Sequence, residues 1–130
     1  MTPQQIESMI RDEFNRSNST SVQKSALSVG SGNVSHEFDL YEANKVIGGI
    51  STSPWFNKSG SNNTGGQDRV SSEILWLTLY PGREQRVLIL SDKERFNRLK
   101  SKYSGCKFNY PIDIYYYDDE KCTIENNYSL

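Results

Sequence analysis

Two strand-like segments, residues 34–41 and 45–53, are joined by only three residues, Glu42, Ala43 and Asn44. Runs of alternating or β-branched apolar residues with so short a link read as an antiparallel hairpin. Strand side chains alternate between faces, so Phe38 and Leu40 are expected on one face and Glu37, Asp39 and Tyr41 on the other. The second segment carries Val46, Ile47 and Ile50 around a Gly48-Gly49 pair. Adjacent glycines in a strand suggest close approach of a backbone or a ligand. Any fold for this chain has to be built around this hairpin.

The remaining elements follow from spacing and caps. Thr2, Pro3 and Gln5 form a helix start with a capping box. Ile6, Met9, Ile10 and Phe14 then repeat at helical spacing, so a helix is expected over 3–14, followed by a polar loop over 15–21. Residues 25–31 read as a weaker strand that turns through Gly32-Asn33 into the hairpin. Residues 54–66 are rich in Gly, Ser and Asn, a long loop of the kind that is functional or disordered. Residues 74–80 allow two readings, a strand hairpinned through Pro81-Gly82 to 86–90, or a helix opening near Asp68 or Ser71. The continuous apolar run at 86–90 reads as a buried strand. Ser91 and Glu94 suggest a capping box for a helix over 93–103, striped by Phe96, Leu99 and Tyr103 and ended by Gly105. A last strand is expected over 112–117, with a frayed tail after Asp119.

The segment from His36 to Gly60 carries a more specific signal. It reads His36-Glu37-Phe38-Asp39-Leu40, then Val46-Ile47-Gly48-Gly49-Ile50-Ser51-Thr52, then Ser53-Pro54-Trp55-Phe56-Asn57-Lys58-Ser59-Gly60. It resembles the PD-(D/E)XK, or restriction-endonuclease-like, nuclease superfamily. In that family an aspartate opens one strand and the next carries Glu-x-Lys in a frame such as V-V-G-E-I-K-S. The resemblance implies an α/β fold with an αβββαβ core, a mixed central sheet flanked by helices, a single domain over residues 1–130, and a helix over 70–80. Asp39 stands at the aspartate position. Gly49 stands where the family has glutamate, and Ser51 where it has lysine.

Metal-dependent phosphodiester cleavage needs carboxylates to hold Mg²⁺, which activates water and neutralises charge on the phosphate. Asp39 is the expected metal ligand and a catalytic candidate. Glu73, from the helix after the hairpin, or Glu37 could supply a migrated second carboxylate. Lys58, or Lys45, could return a basic group. Trp55, Lys58 and Ser51 are candidate substrate-binding residues. His36 could act as a base, although a lone histidine beside a strand start is more often structural. Trp76 and part of the run Tyr115-Tyr116-Tyr117 are expected in the core.

Three functions are consistent with these residues. The leading expectation is a nuclease-like domain with a degenerate metal site, serving as a non-catalytic module for nucleic acid, DNA or RNA, or for another interaction. The second is an active Mg²⁺-dependent nuclease using Asp39 with Glu73 or Glu37. The third is a protein-binding module with no nucleic-acid role. Lys and Arg number 15 against 16 Asp and Glu, for a net charge of −1, so the chain lacks the global basic excess of a dedicated nucleic-acid binder. A local excess from Lys93 to Lys107 permits a phosphate-facing patch. Cys106, Cys122 and the single His36 have no zinc-ligand spacing, and two reduced thiols are expected. No apolar run is long enough to span a membrane, and a cytoplasmic location is expected.

Overall fold

The computed structural model describes residues 1–30 and 33–130, and all but the side chain of Asn126 in the last strand. Of the expected Gly32-Asn33 turn, Gly32 lies outside the described residues, as does Ser31 at the end of the expected first strand. The described residues form α1 (Pro3–Asn18), β1 (Gln23–Val29), β2 (Val34–Glu42), β3 (Val46–Ser51), α2 (Thr64–Leu79), β4 (Gln85–Leu90), α3 (Lys93–Lys102), β5 (Ile112–Asp118) and β6 (Thr123–Ser129). The fold is α/β, with one mixed six-stranded sheet in the order β1-β2-β3-β4-β5-β6. β3, β4 and β5 run parallel to one another, and the outer pairs are antiparallel.

Both faces of the sheet are covered. Ile10 and Phe14 of α1 pack on Leu40, Val46, Ile50, Val87, Ile89 and Tyr117. Val70, Ile74 and Leu77 of α2, with Phe96 and Leu99 of α3, pack on Phe38, Ile47, Leu88, Leu90 and Ile114 on the other face. Residues 74–80 therefore belong to a helix up to Leu79, and Tyr80 caps it with a backbone N–H to Trp76 O. β4 is buried on both sides because parallel central strands have helices above and below.

Several boundaries differ from those expected. α1 continues through Asn18 and closes at Ser19 in the left-handed region. Asn15 holds this end by hydrogen bonds with the backbone N–H and C=O of Val22. α2 opens at Thr64, ahead of Asp68, because the Asn63 side chain accepts the Gly66 N–H. α3 is capped by Asp92, whose side chain accepts the Arg95 N–H, in place of Ser91. The segment after Asp119 is a strand: β6 pairs antiparallel with β5 along its length.

The hairpin contains an irregularity that alternation alone could not foresee. Gln23 pairs with Tyr41, and Ser25 pairs with Phe38. Two steps along β1 thus match three along β2, which is a β-bulge at Asp39–Leu40. The extra residue shifts the parity. Phe38 packs under α2 and Leu40 under α1, so the two do not share a face as expected. Tyr41 returns to the Phe38 side.

Candidate functional site

The bulge coincides with a fork in the sheet. The β2–β3 ladder runs from Glu42–Val46 to Leu40–Gly48 and stops there, while β3 stays paired to β4 up to Ser51–Leu90. Beyond the fork, the Ile50 N–H has lost its strand partner and donates instead to Asp39 Oδ2 at 2.8 Å. This bond fixes the carboxylate at the opening between the strands. The Asp39 backbone carbonyl accepts from Arg11 Nε of α1 at 3.0 Å. Burial raises the Asp39 pKa, opposed by the Ile50 N–H and by the charges of Lys24 and Arg11.

Both glycines of β3 are explained by close approach. A Cβ on Gly48 would collide with the backbone carbonyl oxygen of Val87 on β4. A Cβ on Gly49 would stand 2.8 Å from Glu73 Oε2. The carboxylate of α2 thus occupies the space into which a side chain at position 49 would grow. Glu73 reaches it because it sits on the sheet-facing side of α2, between Val70, Ile74 and Leu77, which are all buried.

Glu73 is held on one side only. Its Oε1 is 3.1 Å from His36 Nε2. Its Oε2 is buried without a hydrogen-bond partner among the described residues. Burial, and secondarily the Asp39 charge, push its pKa up to about 8. Burial also lowers the pKa of His36, against the pull of Asp39 and Glu37. The 3.1 Å contact has ion-pair geometry, but both groups lean toward their uncharged forms. The ring of His36 lies flat on Trp76, with centroids 4.7 Å apart and planes at 9°. Edge-on contact with Phe38 adds to this, so His36 orients Glu73.

A cavity of about 400 Å³ opens beside these groups, lined by Glu7, Ser51, Ser53, Asp68, Arg69 and Glu73 among others. Glu7 comes from α1, and burial followed by the Asp39 charge raises its pKa. Arg69 is the cation of the lining and reaches Ser53 Oγ at 3.4 Å. Ser51 is buried and its Oγ accepts the Ser53 N–H at 3.4 Å.

Glu73 and Ser51 thus line one cavity, and Asp39 is near enough for its charge to act on Glu73. Glu37 does not join them. Its side chain is 62 % exposed and lies 4.0 Å from Lys24. Lys58 is exposed in the loop after β3 and does not line the cavity. Lys45 pairs with Glu42 at 3.1 Å. The positive charges acting on Asp39 are those of Lys24 and Arg11. Neither residue was legible as a site residue, because each reaches Asp39 from an element distant in sequence. Glu7 went unrecognised for the same reason.

Trp55 sits beside the site in a loop that is folded on itself. Phe56 and Asn62 form an isolated antiparallel bridge, and Asn57 Oδ1 accepts from the backbones of Ser59 and Ser61. Arg95 anchors the loop by donating to the carbonyls of Ser53, Pro54 and Asn63. Gly66 is needed here, since a Cβ would meet Arg95 Nη2 at 2.7 Å. Arg95 is thus a buried structural residue and no part of a phosphate-facing patch.

Among the described residues, no group of three or more His, Cys, Asp or Glu side chains is arranged to hold a metal ion. Cys106 and Cys122 are exposed free thiols. No helix among the described residues is long and apolar enough to cross a membrane. The chain matches no protein-family model, no curated protein and no solved structure.

Proposed function

We propose that this chain is a restriction-endonuclease-like domain of the PD-(D/E)XK type that acts on nucleic acid, its second carboxylate migrated from β3 to Glu73. One observation carries the reading: the Glu73 carboxylate fills the space next to Gly49, at the position where the family motif has glutamate. The run of elements from α1 through β4 is compatible with an αβββαβ core, and the Ile50 N–H holds Asp39, which stands at the aspartate position of the resemblance, at the fork.

The donor set fits Mg²⁺ as that ion is commonly held at phosphate-processing sites, by one or two carboxylates with water and substrate phosphate completing the shell. Asp39 and Glu73 are the carboxylates. Burial, and secondarily the Asp39 charge, raise the Glu73 pKa, and its Oε2 has no hydrogen-bond partner among the described residues; a cation would relieve both. When bound, the ion would supply an activated water and neutralise charge on the phosphate.

The chain's own residues account for the rest. Ile50 N–H orients Asp39, and His36 orients Glu73. Lys24 and Arg11 set positive charge near Asp39, and Arg69 sets one at the cavity wall. Ser51 offers a hydroxyl, with no charge, at the lysine position.

That last point favours a second reading, a non-catalytic nucleic-acid module with the same fold. The two separate in one assay of the wild type, Asp39→Ala and Glu73→Gln on plasmid, single-stranded DNA and RNA with MgCl₂ or MnCl₂. Metal-dependent cleavage lost in both variants supports the migrated site. Binding at low salt, where phosphate contacts are strongest, without cleavage supports the module. With neither, the nucleic-acid role falls, and an interaction with protein takes its place.

A further inference from the structure

A second cavity, of about 360 Å³, lies between α2 and α3. Gln67, Val70 and Ser71 line it, whereas Asp68, Arg69 and Ser72 line the acidic cavity. The two cavities therefore flank the same turns of α2. The walls of the second are chemically divided. Trp55, Val70 and Leu99 supply apolar surface, and Arg98, Lys102 and Gln67 supply polar ends. No carboxylate is among the lining residues. Glu94 touches Arg98 at 2.7 Å from the same helix, and Arg98 remains half exposed.

Trp55 is the fixed part of this cavity. Its backbone N–H donates to Asp92 Oδ2 at 3.0 Å, and Arg95 holds the neighbouring carbonyl of Pro54. The guanidinium carbons of Arg95 and Arg98 stand 5.3 and 4.9 Å from the ring centroid. The indole N–H is buried with no acceptor among the described residues. An immobilised aromatic ring, apolar walls and cations at the rim suit a planar ring carrying an anion. The volume is that of a small-molecule site.

We propose that this cavity receives one unpaired base of a nucleic-acid strand, packed against Trp55, with Arg98 and Lys102 on its phosphate. This deepens the proposed function and rests on its nucleic-acid assignment. A base within a duplex is stacked on its neighbours, so the site selects single-stranded or extruded nucleotides.

The test measures binding, with EDTA present so that chemistry plays no part. A fluorescein-labelled oligothymidylate of ten nucleotides and a blunt duplex of the same length are titrated at low salt. The proteins are the wild type, Trp55→Ala, Trp55→Phe, Lys102→Glu and Lys121→Ala, each checked for native circular dichroism. Loss of one base–aromatic stack corresponds to roughly tenfold weaker binding or more. The expected result is that loss for the single strand in Trp55→Ala and Lys102→Glu, partial retention in Trp55→Phe, and wild-type affinity in Lys121→Ala, an exposed residue that lines neither cavity. Lys102→Glu changes only an exposed charge, so it decides the matter if Trp55→Ala unfolds the loop. If single strand and duplex bind the wild type equally, or Trp55 and Lys102 variants bind as the wild type, the unpaired-base site is overturned while the nucleic-acid function stands. If the wild type binds neither probe, both fall together.

Discussion

Glu73 Oε2 stands 2.8 Å from the point where a side chain on Gly49 would begin. The two positions compete for one space. Gly49→Ala should therefore destabilise the protein by about 1–3 kcal/mol, the usual range for overpacking a filled site. In a Glu73→Ala background the same methyl group enters vacated space, and its effect should shrink to a few tenths of a kcal/mol, as coupled neighbours do. Urea unfolding of the four proteins measures the coupling. Additive effects would mean that the two residues do not share the space.

The pKa of Glu73, pushed up to about 8 by burial and by Asp39, makes stability depend on pH. An acid whose pKa is raised on folding binds its proton more tightly in the native state, so its contribution is complete below the ordinary value near 4.5. It is lost as pH rises from there through about 8. Thermal unfolding from pH 5 to 9 should show Glu73→Gln gaining on the wild type across this window. At about 1.4 kcal/mol per tenfold change in proton affinity, the gain at pH 9 is on the order of a few kcal/mol. The lowered His36 pKa acts in the opposite direction, removing stability as pH falls below about 6.5. His36→Gln should flatten that acid limb. A Glu73→Gln curve parallel to the wild type would contradict the burial argument.

The elements most legible in the sequence were those whose signal is local. The α1 capping box and its Ile6–Phe14 stripe, the 34–53 hairpin and the apolar β4 run all depend on neighbours a few residues away, and the structure has all of them. The Asp39–Leu40 bulge was illegible because it is a property of the pairing with β1, which no alternation pattern within β2 records. β6 was missed because Thr123–Ser129 has only Ile124 and Tyr128 as large apolar residues, and its order comes from pairing with β5. The start of α2 was hidden by Gly65-Gly66, which reads as loop. Gly66 is in the helix because only a residue without Cβ fits beside Arg95. Asp39 and Glu73 were candidates through the family resemblance, whereas the nearness of Glu7, Lys24 and Arg11 to Asp39 needed the tertiary fold.

Arg95 ties the loop after β3 to α3 through three backbone carbonyls. Arg95→Met keeps apolar bulk and removes the donors, leaving those carbonyls without partners. We expect a loss of about 2–4 kcal/mol, in the range for breaking a buried charged network. Amide exchange should accelerate over 54–63 more than over β4. Uniform acceleration would mean that Arg95 supports the whole fold and not this loop in particular.

The carboxylate should be movable along the route that the migration implies. Gly49→Glu alone places a second carboxylate against Glu73, adding overpacking and like-charge repulsion, and should lower stability and metal response together. Combined with Glu73→Ala it returns the carboxylate to β3, and Ser51→Lys adds the ammonium that position 51 lacks. Thermal shift with MgCl₂ or MnCl₂ at pH 8.5 reads metal binding directly, since a ligand of the folded state raises its stability by mass action. The wild type and the Gly49→Glu/Glu73→Ala/Ser51→Lys triple variant should both respond, and Asp39→Asn should respond in neither background. If the proposed nuclease function holds, cleavage by the triple variant should exceed that of the wild type, because Ser51→Lys supplies the lysine that the family motif has at this position. A metal response in the wild type that survives both Asp39→Asn and Glu73→Gln would place the ion elsewhere and remove the basis of the migrated-carboxylate assignment.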